Sequence, residues 1–147
     1  MTPLIAFYGD DFTGSTDALE CLAAAGLRAV LFADVPSPDL LSQFEDLQAI
    51  GIAGNSRALP PEEMEGVIPK ALGALRRTGA PILHYKVCSM FDSSPSIGSF
   101  GCVLDIAKRT LDGGVHADCG GRAQAWPVFD VRHPVRAAQR RRRSVSD

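Results

Sequence analysis

The chain has 147 residues, of which 46% are hydrophobic and 22% charged. That is enough for one domain with a buried core, or at most two small ones. The balance excludes a disordered chain, and no apolar stretch approaches a membrane span. The formal net charge of −2 is unevenly spread: residues 1–109 carry 8 Lys+Arg against 13 Asp+Glu, whereas residues 110–147 carry 7 Arg against 4 Asp.

Residues 3–9 (PLIAFYG) form an apolar run that ends in Gly and two Asp, which predicts a buried strand. A loop, DDFTGS, follows, and residues 16–25 have helical composition, with Ser15 or Thr16 as N-cap and Gly26 as the stop. Asp17 then reads as a first-turn charge facing the helix dipole. Residues 29–33 and 48–54 predict two further strands, with a short helical turn at 40–44 between them. Pro60–Pro61–Glu62–Glu63 opens a helix that runs to Arg77, and Pro69 is expected to kink or split it. Residues 81–87 predict a fourth strand, and a polar loop leads to a helix over 99–109. Continuous apolar strands alternating with helices predict an α/β fold: an open, mostly parallel sheet with helices on both faces.

Ligands of such sheets bind beyond the carboxyl ends of the strands. Three polar segments fall there: residues 9–14, 55–57 and 86–94. Asp10 and Asp11 suit vicinal hydroxyls or a hydrated divalent cation. Arg57 offers a planar fork for a carboxylate, Lys86 a point charge, and Ser89, Ser93 and Ser94 hydroxyls. Gly98, Ser99 and Gly101 lie at a helix start, where free N–H groups attract anions. Paired acids and paired bases around a small cavity suit a polyhydroxy acid. His84 alternates within a strand and reads as a packed histidine. Cys88 has no His in its loop to act as a base and reads as a small buried residue.

Familiar nucleotide motifs are missing: there is no GxxxxGK[ST] loop, and no GxGxxG after the first strand. A receiver domain needs an Asp at the end of strand three, where this chain has Asn55–Ser56–Arg57. A haloacid-dehalogenase-like phosphatase needs Asp-x-Asp, where this chain has Asp10–Asp11–Phe12. The cysteines Cys21, Cys88, Cys102 and Cys119 show neither a CxxC pair nor a zinc spacing, so no metal site is expected. Reduced thiols and the lack of a basic n-region at the start predict a cytoplasmic protein.

Three motifs carry a resemblance: YGDDFTGSTDALE (8–20), AGNSRALPPEEM (53–64) and YKVCSMFDSSPSIGSFG (85–101). Over residues 3–109 the chain resembles the N-terminal domain of the four-carbon acid sugar kinases, which include 3-oxo-tetronate kinases and D-threonate or D-erythronate kinases. The resemblance implies a two-domain enzyme that uses ATP and Mg²⁺ to phosphorylate the terminal hydroxyl of a four-carbon sugar acid. The N-terminal domain would bind the acid and a C-terminal domain the nucleotide. Carried over by residue, Asp10 and Asp11 would contact substrate hydroxyls, either being the candidate base. Arg57 with Ser56 would hold the carboxylate, and Lys86, Ser89, Asp92 and Ser93 would line the same pocket. Met90 stands where the family often has a hydroxyl residue. Such kinases are two to three times longer, so this chain reads as a truncated piece, inactive alone, that binds no cofactor tightly. The alternative is a non-enzymatic small-acid-binding or receiver-like module.

The sequence divides into residues 1–110, the sugar-acid-binding part, and residues 111–147, a basic tail. From Asp112 onward the tail has no Leu, Ile, Met, Lys, Glu, Tyr, Asn or Thr. Back-translated with G/C-rich codons and read one nucleotide later, residues 111–137 can give WTAAFTPIVVA and APKLGRYSMFGTLFA, which resemble what the family carries next. The tail thus reads as out of frame and poorly ordered. The Arg140–Arg143 run reads as a by-product rather than a nucleic-acid arm.

Overall fold

The structure, a computed structural model, describes residues 2–111 together with strands at 115–118 and 128–132. The Arg140–Arg143 run, Cys119 and the other tail residues outside α4 and those two strands lie beyond the described residues. Four strands, β1 (Ile5–Gly9), β2 (Ala29–Phe32), β3 (Ala49–Ala53) and β4 (Ile82–Lys86), form a parallel array in the order β2-β3-β1-β4. They are linked through α1 (Phe12–Ala24), α2 (Pro38–Leu41) and α3 (Pro61–Arg77), and α4 (Phe100–Leu111) follows β4. The expected α/β class holds. The tail adds β5 (Val115–Asp118) and β6 (Val128–Arg132), with β6 antiparallel to β4 and to β5. No strand was expected there, yet valine opens both segments and recurs in the second, and β-branched residues favour strands.

The chain leaves β1 over β3 towards β2, and leaves β3 over β1 towards β4. Right-handed crossovers in opposite directions put α1 and α3 on opposite faces. The packing agrees. On one face Ala6, Tyr8, Ile50, Ile52, Leu83 and Tyr85 meet Met64, Ile68, Leu72 and Leu75 of α3 and Val103, Ile106 and Leu111 of α4. On the other face α1 comes close enough to β1 that a Cβ at Gly9 would lie 1.9 Å from the Ser15 hydroxyl oxygen. Only a residue without a side chain fits at that contact.

Several element boundaries differ from the sequence reading. α1 starts at Phe12 because Asp11, not Ser15 or Thr16, is its N-cap: its carboxylate accepts from the Gly14 N–H at 2.6 Å. Ser15 and Thr16 instead donate back to the carbonyls of Asp11 and Thr13. Asp17 is therefore beyond the first turn. The short helical turn is at Pro38–Leu41, where Ser37 caps the Leu40 N–H. α3 runs unbroken through Pro69; the five buried residues of its amphipathic face hold it on the sheet despite the hydrogen bond the proline cannot donate.

Candidate functional site

The strand register decides where the polar segments meet. Gly9 lies level with Ala53 of β3 and with Lys86 of β4, so the residues after all three strands emerge at one edge of the sheet. This joins the three segments singled out in the sequence. Two backbone bonds tie them together: the Asp10 N–H donates to the Lys86 carbonyl at 2.9 Å, and the Arg57 N–H to the Asp10 carbonyl at 3.1 Å.

Asp10 is buried at 2% exposure, and its Oδ1 has no hydrogen-bond partner. Burial pushes its pKa up to about 6, and the charge of Asp11 adds to the effect; the Cys88 N–H and the charges of Lys86 and Arg57 act against it. Asp11 goes the other way. Partial burial raises its pKa, but the Gly14 N–H, the Cys88 thiol and Arg57 outweigh this and hold it below the usual range. Adjacent carboxyls thus have pKa values moved apart, one poised near neutrality and one held ionised, a pattern associated with acid–base chemistry.

Arg57 sits on a 3₁₀ turn, Ser56–Ala58, that follows β3. Its Nη1 donates to Asp11 Oδ2 at 3.3 Å and to the Cys88 sulfur at 3.3 Å, and its Nη2 to Asp92 Oδ2 at 3.1 Å. Gly98 fixes the turn from behind. It has φ +61°, its N–H donates to the Leu59 carbonyl, and a Cβ there would lie 2.5 Å from the Arg57 carbonyl oxygen. Lys86 is buried beneath the start of α1: its Nζ donates to the Val87 carbonyl at 2.6 Å and would lie 3.5 Å from a Cβ at Gly14.

The other expected site residues fall in different places. The Ser56 hydroxyl is fully buried and shares a 2.7 Å hydrogen bond with the Tyr85 hydroxyl, so it supports the turn from below. Ser89 is exposed at the rim. Ser93 accepts from the Phe100 N–H at 3.0 Å, and Ser99 from the Cys102 N–H at 3.3 Å, so serines take up the start of α4 that was expected to attract an anion. Ser94 closes a turn onto Ile97. His84 is half-buried on β4, level with Phe7. Cys88 is buried as expected, but it also holds Arg57, a role that no sequence spacing marks. Tyr85 was missed as well; its inward alternation with Leu83 was the available signal.

A cavity of about 430 Å³ adjoins the charged cluster at Phe12 and Asn55 and continues between Val35, Val67 and Lys70. Among the described residues no group of three or more His, Cys, Asp or Glu is arranged to hold a metal ion, and no helix is long and apolar enough to cross a membrane.

Residues 5–126 match the family model of the sugar-binding N-terminal domain. The chain belongs to that family. This agrees with the resemblance to the four-carbon acid sugar kinases. The domain is 50% identical over 110 residues to a 3-oxo-isoapionate kinase of Paraburkholderia graminis, covering 75% of this chain and 23% of that protein. It is 36% identical to a 3-oxo-tetronate kinase of Pseudomonas savastanoi pv. phaseolicola, covering 75% of this chain and 25% of that protein. A crystal structure of a provisionally named tRNA synthase from Salmonella typhimurium LT2 superposes with a TM-score of 0.65 at 34% identity, covering 74% of this chain and 25% of the other. The sugar-binding domain thus spans about a quarter of the length of the curated relatives it matches.

Proposed function

We propose that this sugar-binding domain holds a small sugar acid, such as 3-oxo-tetronate, threonate, erythronate or a branched relative, for phosphorylation by a cytoplasmic ATP-dependent kinase. The convergence of Arg57, Lys86, Asp10 and Asp11 at one sheet edge carries this reading, within a family whose relatives bear sugar-acid kinase names. The substrate carboxylate would lie on the Arg57 fork, with Lys86 adding charge from below. Asp10 would accept the proton of the terminal hydroxyl, a role that suits a buried carboxyl with a pKa of about 6. Asp11 would act mainly by fixing α1 and Arg57, and Ser89 and Ser93 would form the outer lip.

The phosphoryl donor proposed is ATP with Mg²⁺. The described residues do not fit a triphosphate: β1 runs into two carboxyls rather than a glycine-rich cradle, and Asp11 already caps α1. We read the stretch after Thr110 as translated out of the family's frame. Sequencing the coding DNA from codon 105 supports this if an open frame continues one nucleotide later, and refutes it if none does.

Calorimetry with D-erythronate and D-threonate tests the binding function. Saturable binding that weakens at least about tenfold in Arg57→Ala is expected. Binding that survives this substitution would refute the assignment of Arg57.

A further inference from the structure

Both terminal nitrogens of Arg57 are engaged before any ligand arrives. Its Nη1 is held by Asp11 and Cys88, and its Nη2 by Asp92. Two of these partners are built into the fold, since Asp11 caps α1 and Cys88 is buried. Asp92 differs: its side chain is 73% exposed, against 29% for Arg57.

Asp92 belongs to the segment 89–97, which is exposed throughout apart from half-buried Ser94. The segment is fastened at its ends and at Ser93, whose hydroxyl accepts from the Phe100 N–H. The Phe91 N–H donates to the Cys88 carbonyl, and the Gly98 N–H to the Leu59 carbonyl. Met90, just before the first anchor, is 71% exposed. Phe91 has φ +53°, a left-handed conformation that is costly for a bulky aromatic residue. The Phe91 ring packs edge-on against Phe100, and the next residue makes the ion pair with Arg57.

Three carboxyls, Asp10, Asp11 and Asp92, surround two cations, Arg57 and Lys86. An acid entering this cluster meets an excess of negative groups and a guanidinium whose outer edge is taken. Of the three carboxyls only Asp92 lies on an exposed segment, so it is the one that can leave.

We propose that Asp92 is an internal stand-in for the ligand's carboxylate: it occupies the outer edge of Arg57 in the free protein and is displaced, with segment 89–97, when the acid binds. This rests on Arg57 being the carboxylate receptor. Asp92 is then a competitor that sets the affinity threshold, not a ligand contact.

Calorimetry with D-erythronate and D-threonate on the 147-residue chain, Asp92→Asn and Arg57→Ala tests it. Exposed ion pairs are weak, so removing this one should tighten binding by about two- to fivefold, while Arg57→Ala loses it. Unchanged or weaker binding by Asp92→Asn would overturn the proposal and leave the function of the site standing. If neither D-erythronate nor D-threonate binds any of the three proteins, the functional reading fails. The competitor role is then decided by titrating sodium acetate against the Arg57 side-chain nitrogen signals in NMR. A response at lower acetate in Asp92→Asn than in the parent supports displacement, and equal responses refute it.

Discussion

Replacing Asp10 by Asn should make the domain more stable, but only when the pH is high enough. The native carboxyl titrates at about 6 against an ordinary 3.8, chiefly because it is buried. A gap of that size corresponds to about 3 kcal/mol between the protonated and ionised forms. The sign follows from linkage. A raised carboxyl pKa means that the native state holds its proton more tightly than the unfolded chain, so its contribution is fully present below pH 3.8 and is lost as pH rises through about 6. The amide is neutral throughout and keeps an acceptor for the Cys88 N–H. At pH 4 the two proteins should be nearly equal. Above pH 7 Asp10→Asn should be more stable by up to about 3 kcal/mol, or about 10 °C in Tm. Urea unfolding of both proteins from pH 4 to pH 8 checks this, because their difference cancels every other carboxylate. A difference that stays constant with pH would refute a raised pKa at Asp10, and with it the argument for Asp10 as a base.

Gly98→Ala should destabilise by about 1–3 kcal/mol, since it meets both the left-handed backbone and the Arg57 carbonyl; unfolding midpoints measure this, and an unchanged midpoint would contradict the close approach. Tyr85→Phe leaves the Ser56 hydroxyl buried without its partner and should cost about 1–3 kcal/mol. Adding Ser56→Ala should then cost less than it does alone, and additive costs in a double-mutant cycle would refute the pair. Ile68→Ala on the buried face of α3 should cost about 2–5 kcal/mol in the same assay.

Much of this architecture is legible in the sequence for identifiable reasons. β1, β3 and β4 are short apolar runs, and parallel strands must deliver their following residues to one edge. The meeting of Asp10, Arg57 and Lys86 therefore follows from strand direction alone. What was not legible depends on contacts across the chain or on competition between local signals. The DDFTGS segment has the composition of a loop, and the bonds that Gly14 and Ser15 make back to Asp11 turn it into the start of α1. Pro69 carries a local penalty that the buried face of α3 overrides. The Ser56–Tyr85 bond joins residues 29 positions apart, and the Cys88–Arg57 contact joins a small buried thiol to a charge that reads as solvent-facing. The motif also does not mark that the Ser93 hydroxyl accepts from the Phe100 N–H at the start of α4.

The central claim is that a sugar acid binds at the carboxyl edge of β1, β3 and β4, on Arg57. Adding D-erythronate to the ¹⁵N-labelled chain and following backbone amide shifts tests it most directly. The account predicts saturable shifts in residues 10–14, 56–58 and 87–94. Shifts confined to Val35, Val67 and Lys70 of the neighbouring cavity, or none at all, would contradict it.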